Sequence, residues 1–446
     1  MSSTGMDAAA ASDREPDVWD PASRGEVASW TLYDFGSSAF NTLMVTFIFN
    51  FYFVNVVAEN TTSGTVIWTR AVNISALIVA VLMPVLGAAA DYGGRKKQFL
   101  IGFALLSIGA TIALFFVGQP GMAMLAAFVF VIANMGFEAS NVFYNAFLPE
   151  VSTPRTIGRI SGTGYLVGYI GGLLALVLGL GMVRSWLPED GNLNVRATIL
   201  LVAIWYLVFC LPMFLFVKER TERRTEGMAV YIRAGFGRLG GTVTHLRDYR
   251  EAGKLILARM IYNDGLVTII TMAAIYAGAV LGMELEQVLV MGIGLNVAAG
   301  IGAFGFGFVD DRIGGKKTIT ISLVMLIIAG IIGVMAESIT GFYVAAALIG
   351  LSMGPNQSAS RSLLSKLVPE QKHAEFFGLF AFSGKLSSLL GPLAYGTIVG
   401  MTGDHRLAMS SIILFFVVGL ILLWFVREEE GIAHARALEN SYSADL

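Results

Sequence analysis

Six ionisable residues fall inside long apolar runs: Asp34, Glu138, Arg259, Asp264, Arg361 and Lys385. A charge at the centre of a membrane-spanning helix costs about 2.5–3.5 kcal/mol on insertion scales, so such residues pair, work, or do both. Three are acidic and three basic, and mutual pairing offsets the cost. Polar companions recur at helical spacing. Asp34, Ser38 and Asn41 share one stripe, as do Glu138, Asn141 and Asn145, and Gln357, Arg361 and Ser365. Asn263 stands beside Asp264. A polar stripe on a spanning helix faces protein or water rather than lipid. Two readings follow. In one, the stripes line a wet cavity where Arg361 and Lys385 hold an anionic group, while Asp264 or Glu138 holds an amine or carries a coupling proton. In the other, the charges form a structural network that locks helices together. Glu138, Asp264 and Lys385 lie deepest. Asp34, Arg259 and Arg361 lie nearer the helix ends, where the two arginines are expected to snorkel outward.

The elements that carry these residues are long and apolar. Hydrophobic residues make up 55% of the 446, and charged ones 14%, against about 25% in soluble domains. Mean hydropathy is +0.70. That composition excludes a soluble enzyme and a disordered chain. Twelve runs reach the roughly 20 residues a spanning helix needs: 30–57, 66–90, 98–117, 121–144, 160–183, 196–217, 255–281, 286–309, 318–337, 340–364, 376–400 and 406–426. The short alternating strands of a membrane barrel are missing from the pattern. An all-α membrane protein with twelve transmembrane helices is expected. Pro84, Pro212, Pro355 and Pro392 sit inside spans, and Gly354-Pro355 and Gly391-Pro392 are expected bend points.

The polar stretches divide the chain. Residues 1–29 form a polar N-terminal tail, 30–217 a first six-helix bundle, 218–254 a basic linker, 255–426 a second bundle and 427–446 a C-terminal tail. In the linker, Met228, Tyr231, Gly235, Leu239, Val243 and Leu246 recur near helical spacing. They suggest a basic amphipathic helix, lying on the membrane or solvated. With both termini placed in the cytoplasm, only Arg70, Arg184, Arg196 and Arg406 of the 30 Lys and Arg residues fall on the outer side. The positive-inside rule favours that orientation.

The chain also repeats itself. Residues 87–97 read GAAADYGGRKK and residues 307–317 read GFVDDRIGGKK, an offset of 220. The same offset pairs Leu148-Pro149-Glu150 with Val368-Pro369-Glu370, Gly158 with Gly378, and Gly171 with Gly391. Two six-helix halves related in parallel are a mark of secondary transporters, which place their substrate between the halves near the bilayer midplane.

The loop after the second run resembles the signature loop of the major facilitator superfamily. Gly87, Asp91, Gly94, Arg95 and Lys96 match it, and Gly307, Asp311, Arg312, Gly314 and Lys316 form a second copy. Tyr92 departs from the pattern, which usually has Arg there, and so removes one loop ion pair. By resemblance these residues clamp helix ends on the cytoplasmic face and gate conformational change. For the basic ones, plain anchoring at the membrane surface is the alternative. WTLYDFGSSAFNT (30–42), NVFYNAFLPE (141–150), GRISGTGYLVGYIGG (158–172), IYNDG (261–265), GPNQSASRSLL (354–364) and EFFGLFAFSGK (375–385) narrow the likeness. They resemble the "unknown major facilitator" family, bacterial relatives of the fungal vacuolar amino-acid effluxer of autophagy.

That resemblance implies a secondary transporter moving a small polar or zwitterionic, amino-acid-like solute by alternating access, with a proton as candidate coupling ion. The alternatives are an exporter of amphipathic compounds, such as a drug or lysolipid, and a receptor or scaffold that keeps the fold without transporting. The implied setting is a bacterial plasma membrane, with the lipid bilayer and solute as partners, no nucleic acid, and a monomer. No cofactor is expected. The single cysteine and four scattered histidines suggest neither a metal site nor a catalytic centre. GIGAFG (300–305) spells a dinucleotide motif, but inside an apolar run glycine packing explains it.

Overall fold

The computed structural model describes residues 22–117, 121–221, 224, 230–231, 233–237, 249–387 and 390–444. Every regular element among them is helical. Twelve are long and apolar enough to cross a membrane. Spans 1 to 6 are Arg24–Val57, Thr61–Gly93, Lys96–Val117, Ala123–Ala146, Ile157–Arg184 and Asp190–Phe216. Spans 7 to 12 are centred on the helices Arg250–Leu281, Leu285–Ile313, Gly315–Met335, Ile339–Lys366, the pair His373–Leu386 and Leu390–Thr402, and His405–Trp424.

Local chemistry sets the ends. Span 1 starts six residues before the apolar run, at a capping box: Glu26 N–H donates to Ser23 Oγ at 3.2 Å, and Ser23 N–H to Glu26 Oε2 at 2.9 Å. Spans 2 and 8 stop at Gly94 (φ +58°) and Gly314 (φ +92°), a backbone region that disfavours side chains. Span 1 changes to π-helix over Phe40–Phe47 and again over Phe53–Val57. Asp34 and Ser38 are half-buried, while Asn41, beyond the switch, is exposed.

The prolines divide. Pro84, Pro212 and Pro355 lie within continuous helices. Span 11 is described as two helices, one ending at Leu386 and one from Leu390, and residues 388–389 lie outside the described residues. Glycines let the halves approach. A Cβ on Gly87 would collide with the Ala374 carbonyl, one on Gly162 with that of Ala303, and one on Gly307 would sit 2.8 Å from Arg159 Cα. These positions bring span 2 against span 11 and span 5 against span 8 at the end bearing the two signature loops, called here the basic face. Large apolar side chains such as Phe51, Leu77, Val177 and Leu393 are exposed, as lipid contact requires.

The stretch after span 12 folds as a helix, Glu428–Ala444, against the ends of spans 7 and 10. In the linker, residues 230–231 and 233–237 are helical, and Tyr231 is buried. Gly235 lies so close to span 2 that a Cβ would meet the Val85 carbonyl at 2.6 Å. Met228, Leu239, Val243 and Leu246 lie outside the described residues.

Candidate functional site: the charged seam between the halves

The basic face holds the signature residues. Asp91 Oδ2 accepts the Glu375 backbone N–H at 2.8 Å, tying span 2 to the start of span 11. Asp311 Oδ1 accepts the Gly158 N–H at 2.8 Å and pairs with Arg159 at 3.6 Å, tying span 8 to span 5. Each carboxylate meets a helix N-terminus of the other half, where unpaired N–H groups favour negative charge. Surface anchoring does not describe Lys96. Its Nζ lies 2.5 Å from Glu150 Oε1, both side chains fully buried. Arg95 donates to Gln98 and to the Arg224 carbonyl, and its guanidinium lies over the Tyr231 ring. Tyr92 provides a platform for a cation: the Arg224 guanidinium stands 4.2 Å from its ring centre. Lys316 donates to the Trp424 carbonyl at 3.0 Å, and Arg312 is exposed in the last turn of span 8.

A second device on this face escapes the signature. Glu219 accepts the N–H groups of Lys96 (2.5 Å) and Lys97 (3.2 Å) at the start of span 3. Glu428 does the same for Gly315 (2.9 Å) and Lys316 (3.0 Å) at the start of span 9. Lys97 then donates to the Val217 carbonyl as Lys316 does to that of Trp424. Burial raises the Glu219 carboxyl above its usual range, while the Lys96 cation pulls it down. The sequence signal was present: FVKER (216–220) and FVREE (425–429) close the two halves alike. Glu26 supports the first copy, lying 3.4 Å from Arg220, and Asp310, 3.6 Å from Lys366, belongs to the same seam.

Deeper in, the intramembrane charges sort into distinct environments. Arg361 does not snorkel: it is 2% exposed and lies between the halves. It donates to Ser161 Oγ (3.0 Å), the Ser161 carbonyl (2.7 Å) and Asn145 Oδ1 (2.9 Å), and sits 4.0 Å from Asp34 Oδ2. Trp30, Tyr144 and Tyr165 surround its guanidinium, and Tyr144 donates to Asp34 at 3.2 Å. Span 5 supplies acceptors where a snorkelling side chain would seek water. Lys385 on span 11 donates to Glu138 Oε1 on span 4 at 2.5 Å, a second bond across the halves. Unlike the buried pairs below, these side chains are 31% and 25% exposed. Asn141, one turn from Glu138, donates to the Phe137 carbonyl of its own helix.

Asp264 is not open to a cavity. It is 1% exposed and accepts the N–H groups of Leu390 (3.2 Å) and Gly391 (2.8 Å) at the start of the second helix of span 11. Next to it, Gln357 donates to Asn263 Oδ1 (2.9 Å) and Asn263 to Ser387 Oγ (2.7 Å), at the end of the first helix of span 11. Arg259 does not snorkel either, being 8% exposed. It donates to the Phe380 carbonyl (3.1 Å) and to Ser383 Oγ (3.4 Å), and stacks 3.6 Å from the Phe380 ring centre.

Twelve spans in two interlocked halves, with carboxylates of each half holding helix starts of the other, define a transporter of the major facilitator superfamily. The chain belongs to the family described as "Vacuole effluxer Atg22 like", whose model matches residues 51–436. It is 32% identical over 408 residues to the MFS-type transporter YxiO of Bacillus subtilis (strain 168), covering 90% of this chain and 94% of that one. It is 25% identical over 457 residues to Autophagy-related protein 22 of Yarrowia lipolytica (strain CLIB 122 / E 150), covering 82% and 76%. The human organic anion transporter MFSD10 shares its fold with TM-score 0.73 at 13% identity, over 90% of this chain and 99% of that one. The transporter FucP, in its outward conformation, does so with TM-score 0.65 at 16% identity, over 91% and 100%. The protein is therefore an integral, multi-pass membrane transporter, not an enzyme.

Proposed function

We propose that the protein carries a small zwitterionic, amino-acid-like solute by alternating access, with its basic face in the cytoplasm and that face closed in this structure. The Glu138–Lys385 pair carries the reading. An acid from one half and a base from the other meet deep in the spans and keep contact with solvent. Separating them bare is costly, because a lone charge in a poorly solvated site loses its compensation. A solute charged at both ends satisfies both partners as they part, so a loaded carrier rearranges more readily than an empty one. This is differential affinity for two states, which transport requires. The hydrogen bonds and ion pairs joining the halves concentrate between this pair and the basic face, through Arg361, Asp91 and Asp311. That distribution supports a state closed on the basic side. The effluxer description of the family supports a transported solute, and the placement of Lys and Arg supports the orientation.

The test is uptake of radiolabelled amino acids into proteoliposomes, with lysolipids and cationic drugs as competing classes, and with E138Q and K385Q alongside. Saturable amino-acid uptake that both variants reduce at least tenfold is the expected result. Uptake of lysolipid or drug alone would replace the solute class, and full activity in both variants would remove the pair from the mechanism.

A further inference from the structure

Of the six charges named at the outset, five have an electrostatic counterpart in the protein. Asp34 faces Arg361, Glu138 faces Lys385, and Asp264 faces two N–H groups of a helix start. Arg259 is the exception. Among the described residues no carboxylate lies within 4.0 Å of it, and its buried Nε has no hydrogen-bond partner. A guanidinium does not shed its proton inside a protein. Its charge is therefore permanent, more than nine-tenths buried, and compensated only by a carbonyl, a hydroxyl and a ring face.

Gly384 lies against Arg259, so that a Cβ there would stand 3.1 Å from Nη1. The next residue is Lys385, whose side chain is partly solvated in the cross-half pair. Asn263 lies one helical turn along on the same face of span 7, carrying its bonds to Gln357 and Ser387. Arg259 thus packs on span 11 against Gly384, the residue before the Lys385 that pairs with the opposite half.

We propose that Arg259 is the seat for a monoanionic group of the transported solute, a carboxylate in the class proposed above. The assignment rests on that reading and refines it: the carboxylate that Lys385 meets as its pair with Glu138 parts is held also by the unmatched guanidinium. A planar fork with an unused N–H suits a carboxylate, which accepts two parallel bonds from such a group. Inorganic chloride offers the same charge without the fork.

The experiment is thermal unfolding of the purified, full-length protein against the twenty amino acids, their methyl esters, the matching carboxylic acids without the amine, and sodium chloride. Wild type is compared with R259Q, R259K and K385Q. The expected result is that at least one amino acid raises the midpoint of wild type and its ester binds at least tenfold more weakly. R259Q loses that preference for the free acid, and R259K keeps part of it. An amino-acid shift unchanged in R259Q, or equal for acid and ester, overturns the assignment and leaves the proposed function standing. Shifts by amine-free carboxylates that depend on Arg259, without any by amino acids, support the anion seat while removing the zwitterion class. A chloride shift as large as any carboxylate shift, lost in R259Q, overturns the assignment to solute. No Arg259-dependent shift anywhere in the panel overturns it outright.

Discussion

Asp264 on span 7 holds the restart of span 11 by accepting the N–H groups of Leu390 and Gly391, at 3.2 and 2.8 Å. A helix that begins inside a membrane has free donors and no water to satisfy them, so this carboxylate acts as a cap supplied from another helix. D264A should lower the thermal midpoint by the equivalent of about 1–2 kcal/mol, the range for a lost cap. D264N keeps one acceptor oxygen and should fold and transport within a few-fold of wild type. Transport abolished in a normally stable D264N would instead assign this carboxylate to solute or proton.

The Glu138–Lys385 pair predicts a reciprocal rescue. Each single neutral variant leaves its partner without its counter-charge and should lose transport at least tenfold. The exchange E138K/K385E rebuilds an ion pair between the same two spans and should recover a measurable part of it. A double-mutant cycle on uptake checks this. Additive losses with no recovery by the exchange would mean that the two residues act separately.

Gly87 packs on the Ala374 backbone, where any side chain collides, so G87L should keep the basic face from closing. Cys210 is the only cysteine and is fully buried, so C210S gives a background for labelling. Ser358 is 2% exposed between the halves, and its carbonyl accepts from Ser161. A cysteine in place of Ser358 should be protected from maleimide in the C210S background. Adding G87L should make it react at least tenfold faster. Equal protection in both would mean that this glycine contact does not set the closed state.

The fold was legible because its signals are long. Twenty-residue apolar runs and an offset of 220 survive errors of a few residues at any end. The six intramembrane charges were legible as a set for the same reason, since their cost is independent of orientation. Their partners were not. Depth along a helix does not reveal which neighbour a side chain faces, so Arg259 and Arg361 read as snorkelling residues although span 5 and the first part of span 11 enclose them. Gly391-Pro392 was visible as a motif, but not that Asp264, more than a hundred residues earlier, accepts the Gly391 N–H. The π-helical turns in span 1 left no sequence mark.

Glu219 and Glu428 give the last prediction. Each accepts two N–H groups at the start of the third helix of its half, and each follows the same short motif at the end of the sixth. The second copy shows that the arrangement is inherited with the repeat, not an accident of one loop. E219A and E428A should each lower stability by about 1 kcal/mol, as the loss of a helix cap does. The two sites share no partner and belong to different halves, so the double variant should show close to the sum. E219A should cost more than E428A, because Glu219 adjoins the buried Lys96–Glu150 pair and its removal opens that pair to water. Thermal unfolding of the three variants measures this. Equal effects would mean that the buried pair stands without its neighbour, and no effect in either would mean that the last turn of loop, not the carboxylate, fixes these helix starts.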